Sequence, residues 1–290
     1  MLINETSKIT NLTKKAIDYY IEQRLVSPVF LDNGYRDFRE EDLEVLKKIS
    51  VLRRLGLSVE EIRLVLKDET NSALERIALQ KELSLEREEA KKAFIDELSM
   101  GKSYAEIDAQ LRAIEHSQTI REKLLEGFPG YYGRFICLHF SRFLNEPISS
   151  DVQQAAYEEI LGFLDNVPSI NFPEEIQEFL IEMDKHISTE SIRDIIEKTR
   201  QSIENPDKFL FKNKEVLKQY LDYRESEEYK SSAVYKFQGI LREFNNTSGY
   251  YDVFIPAMKR LSSSYAKYSV KVEAANKKLL QSYPGIEKSL

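Results

Sequence analysis

The chain has 290 residues and a net charge of -7, with 42% hydrophobic and 31% charged residues. This composition is typical of a folded protein of one or two domains and excludes a largely disordered one. The sequence contains no apolar run near the ~20 residues of a membrane span, and its polar start "MLINETSKIT" lacks the apolar stretch of a secretion signal. We therefore expect a cytoplasmic protein without a membrane partner.

Cysteine and histidine are scarce. The single cysteine, Cys137, excludes an intrachain disulfide and a thiolate cluster, and the three histidines are scattered without ligand-like spacing. We therefore predict no metal site and no cofactor. The acidic net charge argues against nucleic-acid binding, but DNA contacts a local surface, and a small basic face can lie on an acidic protein.

Apolar residues recur at spacings of three and four along most of the chain, which predicts a mainly helical protein. The first seventy residues contain four such segments, namely residues 4–10, "NLTKKAIDYYIEQRL", residues 40–55 and "LSVEEIRLVL". Asn4 and Thr13 are candidate caps for the first two segments. Gly56 is expected to end the third, and Ser58 with Glu61 forms a capping box for the fourth.

A hairpin is predicted between the second and third helical segments, in "VSPVFLDNGYRDF". Asn33 and Gly34 both tolerate the positive φ that a two-residue type I′ turn requires. Residues 29–31 and 35–38 on either side are plausible strands. The resulting order of helix, turn, helix, hairpin, helix and helix predicts a winged helix-turn-helix with the hairpin as its wing.

Residues 71 to about 113 are rich in Ala, Leu, Glu and Lys, and the first part of this stretch is predicted to form a long helix. The apolar positions Leu74, Ile77, Leu85 and Phe94 form a stripe too narrow for an independent core, so a second helix is expected to cover it. That helix comes either from a second copy of the chain or from the C-terminal region. Gly101 is predicted to end the helix, and a capping box at residues 103–106 starts the next one.

Aromatic residues become frequent from about residue 116 onwards, glycine stays rare and no repeat is visible. This pattern predicts a separate all-helical domain of roughly 170 residues. The expected organisation is therefore a winged helix-turn-helix at 1–70, a dimerisation helix and linker at 71–115, and a helical effector or regulatory domain at 116–290.

The first seventy residues resemble the MerR family of bacterial transcription regulators. The matching elements occur in the family order: Tyr19-Tyr20, Leu25-Val26, Pro28, Gly34-Tyr35-Arg36-x-Phe38, Leu52-Arg53, Gly56-Leu57-Ser58 and Glu61-Ile62. Three positions depart from the family pattern. Asp18 replaces an arginine, Ile21 replaces a glutamate and Arg24 replaces a glycine.

The resemblance implies DNA contacts from the recognition helix, from the wing and from the junction of the third and fourth helices. These residues are Thr13, Lys14, Lys15, Tyr19, Tyr35, Arg36, Arg53, Arg54 and Ser58. A guanidinium and a tyrosine hydroxyl on a wing suit phosphate, and so do lysines at a helix start. The turn alone favours the alternative of an ordinary hairpin with solvated neighbours, and the order of the matching elements is what favours DNA contacts.

Two other residues of the recognition helix bear on this interpretation. Asp18 would repel phosphate unless it accepts a hydrogen bond from a cytosine amino group or faces Lys14 or Lys15. Tyr20 lies on the apolar side of the helix and is expected in the core rather than at the DNA.

The resemblance also implies partners. The long helix would pair antiparallel with its twin, so the homodimer would bind a pseudo-palindromic stretch of double-stranded promoter DNA. In related regulators, effector binding distorts the promoter so that RNA polymerase sees both promoter elements in register. Such deformation costs on the order of a few kcal/mol, which effector-dependent contacts must offset.

A small organic effector is expected, because metal-sensing relatives place cysteines near the end of the dimer helix and none lies there in this chain. Drug-sensing relatives use aromatic-lined pockets. The candidate lining residues are Tyr131, Tyr132, Phe135, Phe140, Phe143, Tyr250, Tyr251 and Phe254. Any one of them could instead be plain core. Cys137, between two aliphatic residues, is predicted to be a buried, inert thiol.

Two alternatives concern the C-terminal domain, which could be a protein-interaction module or an enzyme domain attached to a DNA-binding head. We find no Gly-rich phosphate loop, no His-Glu-x-x-His run and no nucleophile elbow in the sequence. The prediction is therefore a regulator that is not an enzyme.

Overall fold

The computed structural model describes residues 1–31, 34–128, 130–168 and 170–283. Across these ranges the protein is mainly helical, with a small two-stranded sheet, which confirms the predicted fold class. The chain divides into two compact units, residues 1–77 and 78–290. The division at residues 70 and 115 stays a prediction. In the described ranges, every helix is too short or too polar to cross a membrane.

The first unit has the predicted order of a winged helix-turn-helix. Its elements are α1 (Ile3–Thr10), α2 (Lys14–Glu22), β1 (Val29–Phe30), β2 (Arg36–Asp37), α3 (Glu40–Arg54) and α4 (Val59–Lys67). The strands pair antiparallel, with Val29 opposite Asp37. The apolar faces of the helices meet in one core that includes Ile17, Leu46 and Ile62, all fully buried.

Three of the predicted helix boundaries are confirmed. The Thr13 hydroxyl accepts a hydrogen bond from the Ala16 amide at 3.2 Å at the start of α2. Gly56 follows the end of α3 with φ +80°. Ser58 and Glu61 form the reciprocal capping box of α4 at 2.6 and 3.2 Å, so that each satisfies an amide that the first helical turn leaves unpaired.

The cap predicted for the first helix is wrong. α1 begins at Ile3, one residue earlier than expected, and Leu2 occupies the cap position, so Asn4 lies inside the first turn. The Glu5 carboxylate accepts from the Leu2 amide at 3.4 Å, and the Thr6 hydroxyl donates to the Leu2 carbonyl at 3.2 Å. These two contacts supply the helix start that Asn4 was expected to provide.

The described residues at the end of the wing are joined by backbone hydrogen bonds. The Gly34 amide donates to the Leu31 carbonyl at 2.9 Å, and the Leu31 amide donates to the Tyr35 carbonyl at 2.8 Å. Gly34 has φ +79°, a left-handed conformation that glycine adopts without a steric penalty. Asn33, the other half of the predicted turn, lies outside the described residues.

A long helix, α5 (Ser72–Ser99), follows the winged helix-turn-helix and ends just before Gly101, as predicted. The single apolar stripe predicted along this helix is wrong. Ile77 is buried in the core of the first unit, Leu85 is exposed, and Phe94, nine residues further on, lies on the opposite face from Leu85. Ser103 then caps the next helix together with Glu106. The remaining elements are α6 (Tyr104–Gly127), α7 (Gly130–Ser141), α8 (Asp151–Asp165), α9 (Glu174–His186), α10 (Thr189–Glu204), α11 (Pro206–Lys212), α12 (Lys214–Glu225), α13 (Glu227–Ser231), α14 (Ala233–Thr247), a π-helical turn (Tyr250–Phe254), α15 (Ile255–Leu261) and α16 (Ser263–Ser282).

The core of the second unit is aromatic. The Phe140 ring lies 5.0 Å from the ring of Phe254 and 5.5 Å from that of Tyr265, measured between centroids. Cys137 is fully buried, as predicted, and burial raises the pKa of its thiol to about 11. The thiol is therefore neutral at physiological pH and a poor nucleophile.

The start of α7 is fixed by a buried charged pair. The Asp184 carboxylate of α9 accepts from the Tyr131 amide at 2.8 Å and lies 3.5 Å from the guanidinium of Arg134. Arg134 is 1% exposed and donates to the Ile187 carbonyl at 2.9 Å. Because both charges have partners, α7 is held against α9 without a buried unpaired ion.

Candidate nucleic-acid interface and ligand cavity

α2 presents a cationic end to solvent. Lys14 and Lys15 occupy its first turn and are exposed, and among the described residues neither forms an ion pair. Tyr19 follows Lys15 by one turn and is also exposed, whereas Tyr20 is buried in the core as expected. The unpaired amides and the dipole of a helix start add to the positive potential of the lysines. This end of α2 can therefore hold an anion such as a phosphate.

The wing is attached to α2 through an ion pair. Arg36 of β2 pairs with Asp18 of α2, and its guanidinium carbon lies 5.6 Å from the centroid of the Phe30 ring. Tyr35, directly before Arg36, is 61% exposed near the end of the hairpin. The structure thus brings Arg36 of the wing next to the predicted recognition helix.

Asp18 faces Arg36 rather than Lys14 or Lys15, which corrects the arrangement considered from the sequence. The pair is partly exposed, so water and salt weaken it. Its main consequence is geometric, because Asp18 holds the guanidinium beside α2 and competes with phosphate for it. A guanidinium has five N–H donors, so Arg36 can donate to a phosphate with some of them while another donates to Asp18.

The α3–α4 junction offers fewer donors than expected. Arg53 donates to the Leu57 carbonyl at 2.6 Å, and the Ser58 amide donates to the Glu61 carboxylate at 2.6 Å. Arg54 is exposed and forms no hydrogen bond or ion pair with the described residues. A phosphate at this junction would therefore meet Arg54 and the remaining donors of Arg53 before the amide of Ser58.

The structure explains the glycine that the family has at position 24. Arg24 adopts φ +55° directly after α2, a conformation that costs a non-glycine residue roughly 1 kcal/mol. The preceding carbonyl, of Gln23, accepts a hydrogen bond from Arg63 of α4 at 2.8 Å. Sequence reasoning missed Arg63, which holds the end of the recognition helix against α4.

These features define a winged helix-turn-helix of the kind that binds duplex DNA. Residues 1–69 match the family described as MerR HTH family regulatory protein. Over 92 residues the chain is 36% identical to the HTH-type transcriptional regulator HmrR of Rhizobium leguminosarum bv. viciae, a match that covers 30% of this chain and 71% of that relative. The chain belongs to the MerR family.

Two further relatives match a similar share of the chain. The HTH-type transcriptional regulator CueR of Yersinia pestis is 41% identical over 64 residues, 22% of this chain and 46% of that protein. The Heavy metal-dependent transcription regulator 2 of Rhizobium meliloti (strain 1021) is 32% identical over 93 residues, 30% of this chain and 63% of that protein. The chain thus spans about half the length of the CueR relative that it matches.

Residues that could bind a metal do not cluster in the part of the chain that the structure describes. No group of three or more His, Cys, Asp or Glu side chains there is close enough to hold an ion. The term heavy metal-dependent in the name of the Rhizobium meliloti relative applies to that protein. The alignment with it covers 93 residues, or 30% of this chain.

An aromatic cavity of about 160 Å³ lies in the second unit. Four of the predicted effector residues line it, namely Tyr132, Phe135, Phe140 and Tyr250. Ile136, His139, Ile196 and Thr199 complete the wall. A cavity of this volume holds a molecule of about the size of benzene.

The other predicted effector residues lie outside this cavity. Phe143 packs against Tyr265, with 5.2 Å between ring centroids, and Tyr131 packs against Phe237 at 6.2 Å. Tyr251 is half exposed. Phe254 is fully buried against Phe140. Phe143 and Phe254 are core residues, which is the alternative that the sequence left open.

The aromatic cavity is uncharged at neutral pH. Burial lowers the pKa of His139 to about 4 and raises the pKa of Tyr132 to about 12. Burial also raises the pKa of Tyr250 well above its usual value. The wall therefore offers hydroxyl groups, a neutral imidazole and ring faces, which suit an uncharged aromatic molecule.

His139 could have been predicted as a lining residue. It follows Phe135 by four residues and Tyr132 by seven, so the three share one face of α7. Ile196 and Thr199 belong to α10, and only the tertiary structure brings them to the same cavity.

Proposed function

We propose that this protein is a homodimeric transcription regulator that binds a pseudo-palindromic promoter duplex through α2 and the hairpin wing. The observation that carries the proposal is the surface where Lys14 and Lys15 lie at the start of α2 and Arg36 is fixed beside the same helix. This surface lies within residues 1–69, which match the MerR HTH family, and the HmrR relative in that family is named a transcriptional regulator. An acidic chain can use it because most of the excess negative charge lies in residues 78–290.

The contacts divide into two kinds. Lys14, Lys15 and Arg36 are suited to backbone phosphates, which fix the position of a protein on DNA without reading its sequence. Thr13 and Tyr19, on the exposed side of α2, are proposed to meet the groove edge. Arg53, Arg54 and Ser58 are proposed to add phosphate contacts at the α3–α4 junction.

α5 carries a stripe that supports the dimer. Leu85, Glu88, Lys92 and Ile95 follow at spacings of three, four and three, and all four are exposed. The stripe is symmetric about residue 90. An antiparallel copy therefore places Leu85 against Ile95 of the partner subunit and Glu88 against Lys92 of the partner subunit. Such self-complementarity is what a two-fold interface requires.

The proposed effector is a small organic molecule that occupies the aromatic cavity lined by Tyr132, Phe135, Phe140 and Tyr250. Its binding would change the shape of the promoter that the dimer presents to RNA polymerase in the cytoplasm. DNA deformation costs on the order of a few kcal/mol, so the effector must bind the activating conformation more tightly by a similar amount.

The role of Arg36 gives the direct test. The Arg36→Ala variant should bind the duplex recovered by binding-site selection about tenfold more weakly, because a phosphate contact is lost and Asp18 is left unpaired near the DNA. Titrations at several salt concentrations should show a slope that is smaller by about one charge. The matched control is Arg200→Ala on α10, a partly exposed arginine paired with Glu197, which should leave both quantities unchanged.

Removal of the Asp18 charge is expected to have the opposite effect on DNA affinity. Asp18→Asn should strengthen binding by about three- to tenfold, because the amide keeps the shape while it removes a negative charge and frees Arg36. In the double variant, Asp18→Asn should recover part of the affinity that Arg36→Ala loses, which measures the coupling between the two side chains. Unchanged affinity and salt slope in Arg36→Ala would contradict a phosphate contact at this residue.

A further inference from the structure

A second, larger cavity of about 480 Å³ lies between α5 and α6. Leu83, Ala90 and Phe94 of α5 form one apolar wall, and Ile114 of α6 with Pro147 of the segment after α7 forms another. The first three residues follow one face of α5. The stripe of Leu85 and its neighbours lies on the opposite face. The cavity would therefore stay accessible in the proposed dimer.

One end of this cavity contains buried donors without partners. Ser117 is 5% exposed, and its hydroxyl has no hydrogen-bond partner among the described residues. The Arg121 side chain is 11% exposed, and within the same ranges its Nε has no partner either. Leaving such a donor unsatisfied is unfavourable, so a ligand that accepts hydrogen bonds from these groups is stabilised in the cavity.

Arg121 is held in place by its other nitrogens. Nη2 donates to the Ser141 carbonyl at 3.3 Å and to the Asn145 side chain at 3.1 Å. Nη1 lies 3.5 Å from the Glu86 carboxylate, the acidic group that lines the cavity. Burial lowers the pKa of Arg121, but an arginine remains charged at any physiological pH. The cavity therefore contains a fixed, poorly hydrated positive charge.

Arg87 adds a second guanidinium to the same cavity. Its Nε lies 3.4 Å from the Glu88 carboxylate in a long ion pair. Glu88 is also paired with Lys91 at 3.1 Å. Two guanidinium groups thus face a cavity that one carboxylate, Glu86, lines.

We propose that the α5–α6 cavity binds a small organic anion with an apolar body. Its carboxylate would accept hydrogen bonds from Arg121, Arg87 and Ser117. The apolar body would lie against the wall formed by Leu83 and Phe94. The α5–α6 site differs in ligand class from the aromatic cavity, which is three times smaller and uncharged. It does not depend on DNA binding.

The test uses the full chain and a matched pair of probes, 2-naphthoate and its neutral isostere 2-naphthamide, in isothermal titration calorimetry at pH 7. The acid should bind at least about tenfold more tightly than the amide, because a charged acceptor is worth more to a buried guanidinium. Arg121→Gln should lower the affinity for the acid about tenfold or more, and Arg200→Gln should not change it.

A second variant separates loss of binding from loss of structure, because Arg121 also donates hydrogen bonds to the Ser141 carbonyl and to Asn145. Ala90→Leu fills the α5–α6 cavity and keeps every polar group, so it should weaken binding of the acid while the circular dichroism spectrum stays unchanged. Thr199→Phe narrows the aromatic cavity instead and should have no effect. Equal binding of acid and amide, no heat at millimolar concentration, or loss of affinity in Thr199→Phe alone would overturn the proposal.

Discussion

Replacing both Leu85 and Ile95 with glutamate is expected to convert the proposed dimer into a monomer and to weaken binding to a two-fold symmetric duplex by about 10²- to 10⁴-fold. The two side chains are 64% and 66% exposed in the single chain, so the substitutions do not disturb its own core. In the proposed antiparallel pair each side chain meets the other residue of the partner subunit, so two pairs of carboxylates, one at each end of the contact, would have to be buried. Sedimentation and DNA titration on the same sample measure both effects.

The control for these substitutions removes apolar surface elsewhere. Val216 on α12 and Val270 on α16 are 64% and 65% exposed. Changing both to glutamate should leave the oligomeric state in sedimentation and the affinity for DNA unchanged. If Leu85→Glu with Ile95→Glu stays dimeric, α5 is not the interface.

A charge exchange tests the register of the pair. Glu88→Lys alone and Lys92→Glu alone should each weaken the dimer, since each places like charges opposite one another across the two-fold axis. The double exchange should restore it, because every contact between the two stripes again joins opposite charges. Dimers that respond equally to all three variants would exclude the register centred on residue 90.

Much of the winged helix-turn-helix could be predicted because its signals are local. The Thr13 cap and the Ser58–Glu61 box satisfy amides within three residues of themselves. The positive φ of Gly34 and Gly56 is a property of single residues. The starts of α2 and α4, the end of α3 and the position of the wing follow from such features without knowledge of the rest of the chain.

The pairing of Asp18 with Arg36 could not be predicted in the same way. The two residues are eighteen positions apart, and their contact depends on how the hairpin folds back onto α2. From the sequence, Asp18 was a departure from the family that would repel DNA. In the structure it is the partner that positions the arginine of the wing. The effect on DNA binding therefore concerns the pair and not the aspartate alone.

The two cavities show a similar limit. The spacing along α7 predicts that aromatic side chains share a face, but it does not say whether α10 closes a cavity over them or packs directly against them. The α5–α6 site depends on Ser117 and Arg121 lying opposite Arg87 of another helix. Polar residues on an amphipathic helix are ordinarily solvated, so no local pattern marks these as buried.

Gly133→Ala is expected to destabilise the second unit by about 3 kcal/mol. A Cβ at Gly133 would lie 1.9 Å from the Phe128 carbonyl oxygen and 2.9 Å from its carbon. Both atoms belong to the backbone, and Phe128 is buried in the aromatic core, so neither can move aside without shifting the end of α6 or the start of α7. Urea unfolding followed by circular dichroism at 222 nm measures the loss.

The control uses glycines that do not face another backbone. Gly162 of α8 and Gly239 of α14 have no atom within 4 Å of an added Cβ, so alanine there should stabilise the protein by up to about 1 kcal/mol through helix propensity. A destabilised Gly133→Ala beside stabilised Gly162→Ala and Gly239→Ala would show that the close approach of α7 to Phe128, and not the loss of a glycine, is responsible.

Because Tyr132 lies directly before Gly133, the same variant should also displace one wall of the aromatic cavity. If Gly133→Ala is as stable as the parent protein, the backbone of α7 does not lie in contact with the Phe128 carbonyl, and Tyr132 does not occupy its place in the wall of the aromatic cavity.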